Sequence, residues 1–482
     1  MSDVAEQSGL FDRALRRVTS LWRDMAEMVG SSEEDSIEAQ MRACLDARGG
    51  EVSARNRAAK LARAYLDLDD RERLSFLRSL AAFDSDPAAV RAATERLATA
   101  ADAEAEAAAK MELRRVLEPP RLRLLTQINT IPDGVKFLVD LRAEMLRASA
   151  EGDKRIKALE TDLKGLLASW FDVGFLELRR IDWSSPASLL EKLVQYEAVH
   201  RIRTWRDLKN RLDSDRRCYA FFHPRMPDEP LIFVEVALVK GLADSVQRLL
   251  DEKAPVLDPR QADTAIFYSI NNCQRGLDGI SFGNFLIKRV VELLGQEMPN
   301  VKNFATLSPI PGFCRWLRER MADPQAKLLT DEEGAALRAA APPPPPLGNG
   351  AEGGTAVVAA ETPAETLSRA LARRGWPRDE KVAKALEPVL TRLCAGYLFN
   401  ESARSGKRAR DPVAHFHLSN GARVERINWR GDVSEKGLRE SAGLMVNYLY
   451  DPARIEEYHE DYVGEGKRPA ATAIRRMARG WS

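Results

Sequence analysis

The segment 265–294 constrains the fold more than any other stretch, because it joins a strand to a helix through a glycine-rich loop. Residues 265–270 read AIFYSI, a β-branched and aromatic run that predicts a buried strand. Apolar residues then recur at helical spacing over 285–294, which predicts an amphipathic helix. The loop between them carries Gly276, Gly279 and Gly283. Such a loop aims free backbone N–H groups and the positive end of a helix at an anion, commonly a phosphate.

The spacing of these glycines leaves two interpretations open. The pattern G-x-x-G-x-x-x-G matches neither the dinucleotide fingerprint G-x-G-x-x-G nor the P-loop G-x-x-x-x-G-K-[ST], so NAD and ATP binding lose their usual support. Either the loop cradles a phosphate, or its glycines only permit a tight turn between the strand and the helix.

A serine between constrained residues marks a second candidate site. Residues 306–313 read TLSPIPGF, in which two prolines flank Ile310. These prolines exclude a helix and place Ser308 at the entry to a stiff extended turn. A serine held in this position is expected to have a partner.

Two of the five histidines of the chain lie two residues apart, at His415 and His417. Alternation predicts that they share one face of an extended segment, ahead of a strand over 424–429. A histidine pair could bind a metal ion, but the sequence offers no third ligand at a suitable spacing. A hydrogen-bonded polar role and a functional role both stay open for these histidines.

Four motifs give the chain a close resemblance to the malonyl-CoA decarboxylase family. They read GISFGNFLIKRVV, TLSPIPGF, HFHLSNGARVERINW and GLMVNYLY, and the resemblance is dense over residues 180–320 and 385–450. It implies an acetyltransferase-like (GNAT-type) catalytic domain, in which coenzyme A lies against a splayed strand. It also implies that His417, in the motif F-H-L-x-N-G-A, is the catalytic histidine and that Tyr450 lines the active site.

The resemblance implies that the protein converts malonyl-CoA to acetyl-CoA and carbon dioxide through a thioester enolate. Such a site has to stabilise charge on the thioester oxygen and then protonate carbon, and an imidazole suits the second task. We predict that Ser308 hydrogen-bonds the malonyl carboxylate and can accept a proton, that His417 protonates the enolate, and that Tyr450 orients them. No metal, flavin or biotin is expected, since the coenzyme A thioester is itself the substrate.

The glycine loop is the predicted coenzyme A site, with its backbone N–H groups on the pyrophosphate. The residues assigned to it are Asp278, Gly279, Ile280, Ser281, Phe282, Gly283 and Asn284. Some relatives carry a glutamate at the position of Ser281, so no essential carboxylate is expected at that point. The resemblance also implies that the position of Lys192 affects activity, either by contact or by folding.

Two other functions stay open. An acyltransferase of the GNAT type would need an acceptor groove beside the thioester and a base aimed at an amine, so acetylation of an amine would reveal it. A non-catalytic helical interaction protein with a vestigial pocket would bind coenzyme A without turnover.

A chain of 482 residues is too long for one ordinary core, and its character changes near residue 175. Residues 1–175 are rich in Ala, Leu, Arg and Glu, which predicts an all-α helical bundle used for scaffolding and homo-oligomerisation. Residues 176–482 alternate strands and helices, which predicts an α+β catalytic domain with a largely antiparallel sheet. Within it we predict a hairpin of 217–222 with 231–238 and a helix over 242–250.

Two polar segments interrupt the second domain. Residues 341–364 are rich in Pro, Gly and Ala, which predicts a disordered insertion. The basic turn at 405–410 is expected to be a solvated loop, with contact to coenzyme A phosphates as a lesser alternative.

Charge and cysteine content narrow the function further. The chain has 73 Lys and Arg residues against 72 Asp and Glu residues. The resulting net charge of +1 produces no overall electrostatic field that would attract nucleic acid or an anionic membrane. Five scattered cysteines without a C-x-x-C pair indicate free thiols in a reducing compartment and argue against a zinc site. No apolar run approaches the ~20 residues of a membrane span, and the amino end lacks a signal-peptide core, so a cytoplasmic protein is expected.

Overall fold

The first third of the chain is helical in the computed structural model, which describes residues 22–23, 25, 36–46, 50–280, 286–342, 361–403 and 406–479. Eight helices with described bounds precede the first strand: α1 (Ile37–Leu45), α2 (Glu51–Leu66), α3 (Asp70–Ala82), α4 (Pro87–Ala98), α5 (Ala103–Leu117), α6 (Pro120–Asn129), α7 (Gly134–Ala150) and α8 (Lys154–Trp170). We refer to them as the helical region.

The apolar core of the helical region follows the spacing of its sequence. α7 and α8 each bury one face, and their side chains join one cluster that includes Leu138, Leu141, Met145, Ile156, Leu159 and Leu163. Asp153 caps α8 by accepting hydrogen bonds from the N–H groups of Arg155 and Ile156. The predicted all-helical amino-terminal region is confirmed.

The rest of the chain builds a seven-stranded sheet in the order β1-β2-β3-β4-β5-β7-β6. Its strands are β1 (Glu177–Ile181), β2 (Arg216–Phe222), β3 (Ile232–Val239), β4 (Thr264–Asn272), β5 (Asn303–Thr306), β6 (Arg423–Asn428) and β7 (Met445–Tyr450). Neighbouring strands are antiparallel except for β4 and β5, which run parallel. The α+β class with a largely antiparallel, mixed sheet is confirmed.

Twelve helices with described bounds surround or connect the strands: α9 (Ala187–Tyr196), α10 (Trp205–Arg211), α11 (Val246–Leu249), α12 (Leu286–Glu297), α13 (Phe313–Met321), α14 (Asp331–Ala340), α15 (Pro363–Ala372), α16 (Glu380–Asn400), α17 (Pro412–Ser419), α18 (Glu435–Ser441), α19 (Ile455–Glu460) and α20 (Thr472–Arg479). β4, the glycine loop, α12 and the parallel strand β5 follow one another along the chain. That unit is the one expected of an acetyltransferase-like domain.

β2 and β3 form the predicted hairpin, but the helix predicted over 242–250 is wrong over most of its length. Only the single turn α11 forms there. The carbonyl groups of Leu242 and Ala243 accept hydrogen bonds from Arg426, and the carbonyl of Ala243 accepts another from Asn447. Bonds to β6 and β7 therefore replace those that a longer helix would have made.

The two polar segments are described in part. The predicted insertion at 341–364 falls mostly outside the described residues, but disorder is wrong at its ends, because Ala341 is buried and Thr362 caps α15. In the basic turn, Ser405 lies outside the described residues, and Arg410 pairs with glutamates.

Among the described helices, none is both long enough and apolar enough to cross a membrane. All five cysteines are free thiols, of which Cys314 is partly exposed and the others are buried.

Candidate active site

The histidine pair lies in a short helix, and the extended segment that we predicted there is wrong. Asp411 caps α17 by accepting hydrogen bonds from two backbone N–H groups, and proline occupies the first helical position. Residues two apart in a helix point about 200° apart around its axis, so His415 and His417 face different neighbours. His415 Nδ1 contacts Tyr462 Oη at 2.9 Å. Within the described residues, no three His, Cys, Asp or Glu side chains are grouped to hold a metal ion.

Ser308 lies where the two parallel strands separate. β4 and β5 pair as far as Phe267 and Thr306, and one further hydrogen bond of 3.0 Å joins Leu307 N–H to the Phe267 carbonyl. Ser308 pairs instead with Val446 of β7, through two backbone hydrogen bonds of 2.9 Å. β4 continues beside β3 as far as Asn272, so the two parallel strands diverge at the Ser308 turn.

Three side chains from distant parts of the chain form a continuous hydrogen-bonded series, which we call the relay. Ser308 Oγ lies 2.9 Å from His417 Nε2, and Tyr450 Oη lies 2.8 Å from His417 Nδ1. Ser308 follows β5, His417 lies in α17 and Tyr450 ends β7. The structure therefore brings together the three side chains that we predicted to be catalytic.

The protons of the relay can be arranged in two orders along its hydrogen bonds, because each hydroxyl group can donate or accept a hydrogen bond. If Ser308 donates to Nε2, the ring proton lies on Nδ1 and points at Tyr450. If Tyr450 donates to Nδ1, the ring proton lies on Nε2 and points at Ser308. A switch between the two orders moves a proton along the relay and leaves the ring of His417 neutral.

The relay is shielded from solvent. Ser308 is 5% exposed, His417 3% and Tyr450 1%, so Ser308, which also lies where β4 and β5 diverge, is the outermost member. Burial disfavours the imidazolium and lowers the pKa of His417 to about 3. Burial likewise raises the pKa of Tyr450 well above its ordinary value. Both side chains are therefore neutral near pH 7.

Thr306 and Tyr448 complete the site, and the sequence analysis missed both. Thr306 Oγ1 lies 2.8 Å from Ser308 Oγ and accepts a hydrogen bond of 3.1 Å from the N–H of Tyr448. The Tyr448 ring stacks on the His417 ring, with centroids 4.6 Å apart and 24° between the planes. Each residue lies two positions before a predicted site residue, Ser308 or Tyr450, and strand alternation could have identified both.

The glycine loop is described only in its first part. Asp278, Gly279 and Ile280 lie within the described chain, whereas Ser281, Phe282, Gly283 and Asn284 lie outside it. A single 3-10 turn at Arg275–Leu277 leads into the loop. Gly279 has a φ of 73°, a left-handed conformation that favours glycine. Contact between this loop and a phosphate stays a prediction.

Lys192 has structural partners. Its Nζ donates to the Asp228 carbonyl and pairs with the Glu229 carboxylate, each at 2.7 Å. These bonds tie α9 to the turn between β2 and β3. Its described polar contacts include no member of the relay, so the structure does not bring Lys192 together with the other candidate residues.

Family models match most of the chain. The model described as "Malonyl-CoA decarboxylase C-terminal domain" matches residues 174–481. The model described as "Malonyl-CoA decarboxylase N-terminal domain" matches residues 83–171. The first of these alone covers more than half of the chain.

Similar proteins bear the same name. The mitochondrial malonyl-CoA decarboxylase of Anser anser anser is 38% identical over 408 residues, which is 82% of this chain and 78% of that protein. The enzyme of Rattus norvegicus is 40% identical over 354 residues, which is 71% of this chain and 68% of that protein. The crystal structure of malonyl-CoA decarboxylase from Rhodopseudomonas palustris is 42% identical with a TM-score of 0.79, and the match covers 91% of this chain and 98% of that one. The Agrobacterium vitis structure is 39% identical with a TM-score of 0.79, covering 92% and 99%.

Proposed function

The chain belongs to the malonyl-CoA decarboxylase family, and we propose that Ser308, His417 and Tyr450 carry out its reaction. As a carboxy-lyase, the protein cleaves malonyl-CoA into acetyl-CoA and carbon dioxide. The observation that supports the residue assignment is the unbroken contact of the three side chains at the point where β4 and β5 diverge. The acyltransferase and the non-catalytic binding protein are not favoured, because the relatives over most of the chain are decarboxylases.

The reaction has two steps. The electrons of the bond between the carboxylate carbon and C2 move into the thioester, which releases carbon dioxide and leaves an enolate. C2 then receives one proton to give acetyl-CoA. A neutral donor suits the carboxylate, since a cation would stabilise the negative charge where it starts and oppose its movement to the thioester oxygen.

We assign the contact with the acyl group to Ser308, the outermost member of the relay. Its hydroxyl hydrogen-bonds the malonyl carboxylate, and after carbon dioxide leaves it delivers a proton to C2. His417 replaces that proton from Nε2 while Nδ1 takes one from Tyr450, and the one proton that the reaction consumes is restored to the relay from solvent. Ser308 is therefore the immediate donor to C2, and His417 acts as the acid through it.

Burial requires these transfers to be concerted. The surroundings that lower the pKa of His417 and raise the pKa of Tyr450 oppose both an imidazolium and a tyrosinate. A ring that gives one proton as it accepts another stays neutral throughout. His417 can thus pass a proton near neutral pH without its ring becoming charged.

We further propose that backbone N–H groups of the glycine loop, over the stretch from Asp278 to Asn284, hold the pyrophosphate of coenzyme A; those of Asp278 and Ile280 bond within the loop. Support comes from the position of the loop, which directly follows the carboxyl end of β4, the strand that diverges from β5 beside Ser308. Hydrogen bonding by Ser281 belongs to the same proposal. We assign Lys192 an indirect role, through its bonds to the β2–β3 turn.

Incubation of the purified protein with malonyl-CoA and excess EDTA tests the function and the absence of a cofactor together. We expect acetyl-CoA in equal amount to the malonyl-CoA consumed, by mass spectrometry, at a rate unchanged by EDTA. The relay transfers protons without a metal, which is the reason for that expectation. An acetylated amine as the main product would support the acyltransferase instead, and a requirement for added metal would contradict the metal-free scheme.

We expect kcat/KM to stay nearly constant over the pH range in which an ordinary histidine titrates. Burial lowers the pKa of His417 from 6.5 to about 3, so the free enzyme keeps a neutral ring between about pH 5 and 8. With malonyl-pantetheine, which has no phosphate to titrate, kcat/KM should change less than about twofold over that range. A limb with an apparent pKa near 6.5 would contradict a neutral relay.

The lowered pKa of His417 also makes the free energy of unfolding depend on pH, and the direction of that dependence follows from the direction of the pKa shift. Above pH 6.5 the ring is neutral in the folded and unfolded chains, and His417 contributes nothing to the pH dependence. As the pH falls below 6.5, the unfolded chain binds a proton that the folded chain refuses, which lowers stability by up to about 1.4 kcal/mol per pH unit. Circular dichroism at each pH separates this unfolding from a change in activity.

We propose that the protein works in the cytoplasm as a homo-oligomer assembled through its helical region. The five free thiols support a reducing compartment. Val52, Met111 and Leu117 of the helical region are 69%, 67% and 49% exposed, and such apolar side chains support an association surface there. Light scattering that returned the mass of a single chain would argue against assembly.

A further inference from the structure

The helical region holds the glycine loop through a buried arginine. Arg142 of α7 is 1% exposed, and it donates from Nη1 to the Gly276 carbonyl at 2.5 Å and from Nη2 to the Asp278 carbonyl at 2.9 Å. Glu160 of α8 fixes the guanidinium through two hydrogen bonds, of 2.8 and 3.1 Å. Gly276 lies so close to α7 that an added β-carbon would be 1.7 Å from the Val139 carbonyl oxygen.

These contacts determine which way a peptide group of the loop points. In a trans peptide, the C=O and the N–H point in opposite directions. Because the Asp278 carbonyl is turned toward Arg142, the N–H of Gly279 is turned away from the helical core. That N–H has no acceptor among the described residues, whereas the N–H groups on either side of it are bonded within the loop. Gly279 therefore presents a free backbone donor.

A cation lies beside the same glycine. Lys164 of α8 places Nζ 3.3 Å from the position that a β-carbon would occupy at Gly279. Its side chain is partly buried, and its ammonium group has no hydrogen-bond or ion-pair partner in the part of the chain that the structure describes. An unpaired ammonium and an unpaired N–H thus border one glycine that has no side chain of its own.

The carboxylates nearest to these donors are engaged elsewhere. Glu160 binds Arg142 and also pairs with Lys157 at 2.6 Å. Asp278 Oδ1 accepts a hydrogen bond of 3.1 Å from Asn272, and burial raises the pKa of its carboxyl group. Neither carboxylate forms an ion pair with Lys164, so the charge of its ammonium group is unpaired among the described residues.

We propose that Lys164 and the N–H of Gly279 bind a phosphate of the coenzyme A part of the substrate, so that α8 forms one wall of the substrate site. The inference rests on the proposed function, which supplies a ligand that bears phosphates. An ammonium and a free backbone N–H that border the same glycine are both donors that a phosphate oxygen binds well. The absence of a side chain at Gly279 lets the phosphate reach the backbone.

The test compares three variants on two thioesters. Lys164→Gln removes the charge, Lys164→Arg keeps it, and Lys154→Gln is the matched control because Lys154 is exposed at the start of the same helix. Malonyl-CoA carries the phosphates, and malonyl-pantetheine lacks them. Isothermal titration of each variant with coenzyme A itself measures binding without turnover.

We expect Lys164→Gln to raise KM for malonyl-CoA by about 10- to 50-fold with kcat within about twofold, the result of losing a contact that is equal in the ground and transition states. Lys164→Arg should recover most of the loss, and Lys154→Gln should match the parent protein. All three should use malonyl-pantetheine as the parent does, and the Kd for coenzyme A should follow KM.

Two results would overturn the inference. One is an unchanged Kd for coenzyme A in Lys164→Gln. The other is an equal loss with malonyl-pantetheine, which would mean that the substitution disturbs the acyl site or the fold. If the parent protein binds coenzyme A but releases no carbon dioxide, the proposed function fails, and the titrations still decide the role of Lys164.

Discussion

Replacing His417 with Asn should lower kcat for malonyl-CoA by about 10³- to 10⁴-fold, because it breaks the relay at its centre. The ring joins Ser308 to Tyr450 through two nitrogens that can exchange one proton for another. A carboxamide has no such exchange. Ser308 would still meet the carboxylate, but nothing would replace the proton that it gives to C2. Acetyl-CoA formation by mass spectrometry under saturating substrate measures the loss.

His415→Asn is the matched control for this variant. His415 lies in the same helix but contacts Tyr462, away from the relay. We expect it to keep kcat within a few-fold of the parent protein, and we expect both variants to keep their affinity for coenzyme A. If His417→Asn released carbon dioxide at the parent rate, the assignment of His417 as proton source would be wrong.

The features that the sequence predicted well are those determined by local pattern. In α7 and α8 the buried residues include those that recur at helical spacing in the sequence, and in β4 they include the β-branched and aromatic run. The β2–β3 hairpin is of the same kind, since both strands and the turn between them lie within 216–239. Each of these elements can form its interactions with residues close in sequence.

The histidine segment shows how a short element can be misread. Alternation over three residues suggested an extended chain, but Asp411 and Pro412 stand at the cap and the first position of α17. Both are signals for the start of a helix. Capping residues therefore carried more information here than the spacing of His415 and His417. The helix turns His417 inward to Ser308 and Tyr450 while His415 faces Tyr462.

Contacts between the helical region and the glycine loop could not be read from the sequence. Arg142 binds carbonyl groups 134 and 136 residues further along the chain, and one arginine of an amphipathic helix resembles any other. Its burial with Glu160 removes two charges from water, which is costly unless the pair and its hydrogen bonds are complete. The pair fixes the loop against α7, so the region that we predicted to be a scaffold also shapes the glycine loop.

Ser308→Ala should lower kcat by about 10²- to 10³-fold, because it removes the one donor that meets the malonyl carboxylate and then C2. The loss should be smaller than that of His417→Asn, since a water molecule can enter the space of the missing hydroxyl and carry a proton from Nε2. Backbone bonds between Ser308 and Val446 hold the turn whichever side chain is present, so the variant should fold. The melting temperature provides the control for folding.

The double variant Ser308→Ala with His417→Asn separates a relay from two independent contributions. If the proton reaches C2 only through both groups, removing Ser308 from a chain that already lacks His417 adds little to the loss. The kcat of the double variant should then lie within about threefold of the kcat of His417→Asn. If the two side chains act independently, the losses should multiply to about 10⁵ or more. Multiplication would show that the 2.9 Å contact between Ser308 Oγ and His417 Nε2 does not carry the proton.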